Sequence, residues 1–142
     1  MEVIPIALDH PGWRIAGLSL VFIWFAIGGI GHFVMLDAFA SIIPPGLPWP
    51  EAAVLISGFF ELLGAVGILL PRFRALAGWG LVALTICVTP ANVYMWLHPE
   101  LFPQVPEWLL FWRLPFQVFL LFCIVASTQK RLPGFTTESH GQ

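Results

Sequence analysis

The chain is short of charge. Only 10% of its residues are Asp, Glu, Lys or Arg, where soluble domains carry roughly a quarter. That shortage excludes an ordinary water-soluble domain. Six basic residues against eight acidic ones, with no basic tract, leave nothing to grip phosphate, so no nucleic-acid partner is expected. Cysteine is nearly absent. Cys87 and Cys123 lie in separate apolar segments and form no CxxC or metal-finger spacing. They read as small buried hydrophobes, with no metal site and no intrinsic cofactor. No internal repeat is present, which leaves a single domain over residues 1–142.

What fills the chain is apolar, with 58% hydrophobic residues and a mean hydropathy of +0.88. Four apolar segments, at about 13–35, 52–70, 75–96 and 107–127, each come near the roughly 20 residues needed to cross a bilayer. The pattern predicts an all-α integral membrane four-helix bundle in contact with the lipid bilayer. The first run is too long for a signal-peptide core, and Glu2 and Asp9 precede Arg14, so it reads as a retained helix. Residues 41–51, SIIPPGLPWPE, hold four prolines and read as a rigid connector. Ile42, Ile43, Leu47 and Trp49 need burial there, so the connector is expected to close the outer mouth as a lid. Residues 128–142 read as a polar tail with a disordered extremity.

The basic residues are one-sided. Arg14, Arg72, Arg74, Lys130 and Arg131 belong to the side bearing both termini and the second loop. The other two loops carry Asp37, Glu51, Glu100 and Glu107 and no lysine or arginine. The positive-inside rule then places both termini in the cytoplasm. Trp13 and Trp79 fall at the inner boundary, and Trp49, Trp96 and Trp108 at the outer one, as aromatic belts.

Against this background one carboxylate stands out. Glu61 lies in the middle of the second span, in ISGFFELLGAVGILL, where an unpaired charge costs several kcal/mol or more. One basic residue, Arg113, sits inside another span. Ser57 precedes Glu61 by one turn and Gln117 follows Arg113 by one turn, so each charge has a polar neighbour on its own face. Glu61 and Arg113 are expected to touch, with a vertical offset of roughly 6 Å by helix rise. Asn92 shares a face of the third span with Thr85, Thr89 and Trp96, and Pro90 is expected to bend that span. Asn92 or a water would then serve the freed carbonyls. His32 lies near the outer end of the first span, as an interfacial hydrogen-bonder or as a ligand. The polar groups trace a path from the outer face to mid-membrane and stop there. That shape predicts a pocket entered from outside or from the outer leaflet, not a channel, with Glu61, Arg113, Gln117, Asn92, Ser57 and His32 as its ligand-binding residues. The plainer alternative is a buried ion pair that fixes helix register.

Local signatures recur in order along the chain: Gly31-His32-Phe33, Ile43-Pro44-Pro45 with Leu47-Pro48, and Ser57-Gly58 before Glu61 and Gly64. Pro71-Arg72, Ala77-Gly78-Trp79-Gly80, Pro90-Ala91-Asn92 with Met95, and Arg113-Leu114-Pro115 with Gln117 complete them. Over residues 14–127 this pattern resembles the DoxX family of small four-helix bacterial membrane proteins. The resemblance implies a multi-pass domain in the bacterial cytoplasmic (inner) membrane. Some members of that family are associated with thiosulfate- or quinol-linked oxidoreductases and others with resistance to quinones and thiol stress. More distant ones resemble eukaryotic membrane chaperones.

Three functions fit these residues. In the first, the pocket binds a quinone or similar lipid-soluble redox molecule. Arg113, Asn92 and Gln117 would donate to its carbonyl oxygens, and Glu61 or His32 would relay protons. With no redox centre in the chain, the electrons would come from a partner oxidoreductase. In the second, the protein is an assembly factor or chaperone whose groove takes a partner transmembrane helix. A small-solute carrier is the third, weakened because no polar path reaches the cytoplasmic side. Haem is disfavoured, since His98 precedes Pro99 in a loop and no second intramembrane histidine exists. Whether the protein catalyses a reaction, and whether it forms a homo-oligomer, stay open.

Overall fold

The structure is a computed structural model that describes residues 11–129. Four long helices carry the fold: α1 (Pro11–Val34), α3 (Pro50–Leu69), α4 (Arg74–Leu97) and α5 (Glu107–Thr128). A short helix, α2 (Leu36–Ser41), follows α1, and a single 3-10 turn, Pro99–Leu101, precedes α5. All four long helices have the length and hydropathy to cross a membrane. They pack in a ring, α1 on α3, α3 on α4, α4 on α5 and α5 back on α1. Thus α3 and α5 stand diagonally, as do α1 and α4. The protein is an all-α four-helix bundle of membrane-spanning type. The leader and most of the polar tail expected at residues 128–142 lie outside the described residues. Thr128 does not belong to a tail, because it closes α5 and is buried with Ser127.

The bundle is layered along its axis. At one end Arg14 Nε donates to the Ser127 carbonyl at 2.9 Å, and Arg74 Nε donates to the Ile68 carbonyl at 2.7 Å. Gln129 Nε2 donates to the Ala75 carbonyl at 3.2 Å and ties α5 to α4. The two arginines serve carbonyls in the last turns of α5 and α3, which have no partner within their own helices. Above that end lies an apolar core of Val21, Phe25, Ala65, Ile68, Leu81, Leu120, Cys123 and Ile124. The polar residues form the next tier. A second apolar cluster, Met95, Phe102 and Leu110, closes the opposite end. Large apolar side chains cover the rest of the exterior, Trp13, Trp49, Trp79, Trp96 and Trp108 among them. In water such a surface would aggregate; in a bilayer it is the lipid-facing shell. Cys123 is buried as its composition suggests, but Cys87 is exposed on that shell.

Glycine sets the closest helix approach. A Cβ on Gly58 would lie 2.6 Å from His32 Cβ, and one on Gly29 would lie 3.1 Å from the Gly58 carbonyl oxygen. No side chain fits between α1 and α3 here, so the backbones meet, as small residues permit in membranes. This crossing also fixes relative height. His32 is level with Gly58, which lies about 12 Å from the start of α3 by helix rise. Helix α1 ends only two residues after His32. It therefore stops short of α3, and α2 fills the step by packing on α3.

The connector is partly the expected lid. Ile42 packs against the Met95, Phe102 and Leu110 cluster, so the chain crosses from the α1 and α3 side to the α4 and α5 side. Ile43 and Pro44 are half-buried, but Leu47 and Trp49 are exposed. Its ends are helical: Ser41 closes α2, and Pro50 opens α3 at a position where a missing N–H is harmless. Trp49 caps α3 in the left-handed region, at φ 52° and ψ 62°. That conformation costs an L-residue about 1–2 kcal/mol, and asparagine tolerates it better. Trp49→Asn is expected to raise stability in detergent by about 1 kcal/mol, read as a higher unfolding midpoint; a lower midpoint would show that the indole contributes more than its backbone costs.

Candidate functional site

The polar tier is built by two helix pairs, and each pair holds its own cluster. On α1 and α3, His32 and Glu61 face one another at 3.5 Å between Nε2 and Oε1. Both are at least nine-tenths buried. His32 Nδ1 lies 2.8 Å from the Val54 carbonyl oxygen. A carbonyl only accepts, so Nδ1 carries the proton and Nε2 is left to Glu61. The space for the carboxylate comes from Gly28, where a Cβ would lie 2.7 Å from Glu61 Oε2. Phe39 of α2 covers the imidazole, with ring centroids 4.3 Å apart.

With Nδ1–H committed to Val54, Nε2 is the nitrogen that faces the Glu61 carboxylate, at 3.5 Å. A proton shared between these two groups would relieve the lone pairs that otherwise face each other in an apolar surrounding.

On α4 and α5 the cluster is made of amides and hydroxyls. Asn92 Nδ2 donates to Gln117 Oε1 at 2.8 Å, and Gln117 Nε2 donates to the Thr85 carbonyl at 3.3 Å. Gln117 Nε2 also donates to Thr89 Oγ1. The threonine hydroxyls return to their own helix, Thr85 to the Leu81 carbonyl at 2.7 Å and Thr89 to the Thr85 carbonyl at 3.0 Å. Helix α4 continues through Pro90. The Thr85 carbonyl, five residues before that proline, accepts from Gln117 of the neighbouring helix and from the Thr89 hydroxyl, and Asn92 reaches no backbone carbonyl there. Asn92 instead orients the glutamine.

Arg113 joins neither cluster. It is half-buried on α5, and its Nη1 lies 3.1 Å from Met95 Sδ, a weak acceptor. The expected contact between Glu61 and Arg113 is absent: Glu61 pairs with His32, and among the described residues no carboxylate pairs with Arg113. The reason is the ring order. Glu61 is on α3 and Arg113 on α5, which face each other only across the bundle diagonal. Ser57 is half-buried and takes part in neither cluster. Thr85, Thr89 and Met95 belong to the tier although they were not among the expected ligand-binding residues. Thr85, Thr89 and Asn92 on one face of the third span were the available signal.

A family model described as "Domain of unknown function (DUF8561)" matches residues 20–128. The chain belongs to the DUF8561 family. No curated protein and no solved structure matches it. The DUF8561 match takes in both polar clusters, Arg113 and the lid, whereas Arg14 at the opposite end precedes it.

A groove of about 570 Å³ runs along the flank of α4, lined by Ile86, Thr89, Pro90, Val93, Tyr94 and Leu97. Its walls come from α4 alone and are mainly apolar. It is part of the lipid-facing surface and does not reach Glu61.

Proposed function

We propose that this is a protein of the bacterial cytoplasmic membrane, with both termini inside, that binds a quinone or similar lipid-soluble redox molecule. It would serve as accessory to an oxidoreductase or a stress-resistance system. The observation that carries the reading is Arg113. A guanidinium has five N–H donors, and this one, half-buried in an apolar helix, reaches a single weak acceptor. Its depth is about 9 Å from the start of α5 by helix rise, within reach of molecules dissolved in the outer leaflet. Carbonyl oxygens are the acceptors that such a donor set lacks. Asn92 gives one N–H to Gln117, and Gln117 gives its own to Thr85 and Thr89, so these amides mainly hold the α4–α5 seam.

The other residues take narrower parts. His32 and Glu61 would supply a proton site in the same tier, with Phe39 against the imidazole. Reduction of a quinone takes up two electrons and two protons; the electrons would come from a partner oxidoreductase, because no side chain here stores them. The resemblance to DoxX proteins, some of which are associated with quinol-linked enzymes, supports the same direction.

Mass spectrometry of organic extracts from gently purified protein tests the reading. Wild type is expected to carry an enriched quinone, and Arg113→Gln to lose it while melting within a few degrees of wild type. Recovery of phospholipid alone from wild type would sink the quinone reading. Crosslinking in native membranes to one dominant membrane protein, with no enriched small molecule, would favour an assembly factor instead.

A further inference from the structure

We propose that the arginine-bearing end of the bundle is a binding surface for anionic phospholipid headgroups, held by Arg14, Arg72 and Arg74. The inference is independent of any ligand at Arg113. Three cations share this end of the bundle although they come from distant parts of the chain. Arg14 opens α1 and reaches the end of α5. Arg72 lies in the turn between α3 and α4, and Arg74 opens α4 and reaches back to the end of α3. Gln129 then links the end of α5 to Ala75, the residue after Arg74. The contacts make one continuous rim.

Among the described residues none of the three arginines has a carboxylate partner. Among the described acids, Asp37, Glu51, Glu100 and Glu107 belong to the opposite end, and Glu61 is spent on His32. The rim therefore carries positive charge with no acid beside it among the described residues. Two of the guanidinium groups are also held in place. Arg14 and Arg74 spend Nε on backbone carbonyls at 2.9 and 2.7 Å, and Arg74 Nη2 lies a further 3.5 Å from the Leu69 carbonyl. Their remaining Nη donors need acceptors. Arg72 makes only a cation–π contact with Phe73, 5.6 Å from its ring centroid, and is exposed. Planar N–H forks anchored in this way match phosphate oxygens.

Apolar surface lies directly beside the charge. Trp13, Phe73, Leu76 and Trp79 are exposed around the same end. A free phosphate would use the cations and leave that surface untouched. A phospholipid uses both, with its phosphate on the arginines and its chains along the adjoining helices. That combination commits the occupant to a lipid headgroup.

The test uses the full chain purified in a neutral detergent. Phosphatidylglycerol, phosphatidylcholine or inorganic phosphate is added, and native mass spectrometry reads the bound species. Wild type is expected to retain phosphatidylglycerol in preference to phosphatidylcholine. Arg72→Gln removes a side chain that bonds no other helix, so the variant folds, and its affinity for phosphatidylglycerol should fall about fivefold. The triple substitution Arg14→Gln, Arg72→Gln, Arg74→Gln should lose the preference altogether. Equal retention of both lipids by wild type, or an unchanged affinity in Arg72→Gln, would overturn the surface. Retention of inorganic phosphate without a lipid preference would overturn the headgroup as its occupant.

Discussion

His32→Leu is expected to destabilise the protein by about 3–5 kcal/mol, because it strands a buried carboxylate without its partner. Glu61→Leu should cost less, about 1–3 kcal/mol, since it leaves only an imidazole nitrogen unsatisfied while Nδ1 keeps its bond to Val54. The double variant should be more stable than His32→Leu alone. Replacing a buried pair by apolar residues of similar size removes the desolvation cost along with the attraction. Arg113→Gln should add independently to each, within about 0.5 kcal/mol, because it shares no partner with either residue. Unfolding midpoints in detergent for the singles and doubles would measure all of these. A double variant no better than His32→Leu would show that the pair is not one unit. Strong coupling of Glu61 to Arg113 would reinstate a contact across the diagonal.

That cycle also marks where the sequence stops being informative. Spans could be read because an apolar run has only one stable arrangement in a bilayer, a helix of roughly 20 residues. Polar residues within those runs must turn inward, which is why Glu61, Gln117 and Asn92 could be named. The partner of each could not. Pairing depends on the order of helices around the ring, and nothing in a single chain states that α3 and α5 are diagonal. Charge complementarity favoured Arg113 for Glu61; position gave it His32.

His32 was obscured for a second reason. Two residues before the end of its helix, it reads as a surface group. Its depth comes from the close approach of Gly29 and Gly58, which sets α1 low against α3, and from α2, which covers the step. Six residues of helix without a cap signal are hard to find beside a proline-rich connector. The left-handed turn at Trp49 has no local signal either, since glycine or asparagine would be the expected residue there. In each case a tertiary contact decided the outcome.

Gln117→Leu should be the most damaging substitution in the second cluster, at about 2–3 kcal/mol. An interhelical hydrogen bond in a membrane contributes roughly 0.6–2 kcal/mol. Gln117 makes three, to Asn92, to the Thr85 carbonyl and to Thr89 Oγ1, all between α5 and α4. Loss of the amide also leaves Asn92 Nδ2 without its acceptor, which adds to the cost, while the Thr85 carbonyl keeps the Thr89 hydroxyl. Asn92→Leu removes only one of the three bonds and should cost about 1 kcal/mol. The double variant should then lose less than the sum, because the bond between the two amides is counted once. Thermal or denaturant unfolding of the purified variants would rank them. Equal losses for Gln117→Leu and Asn92→Leu would mean that the bonds to Thr85 and Thr89 contribute nothing, and that the α4–α5 seam is held by its apolar contacts instead.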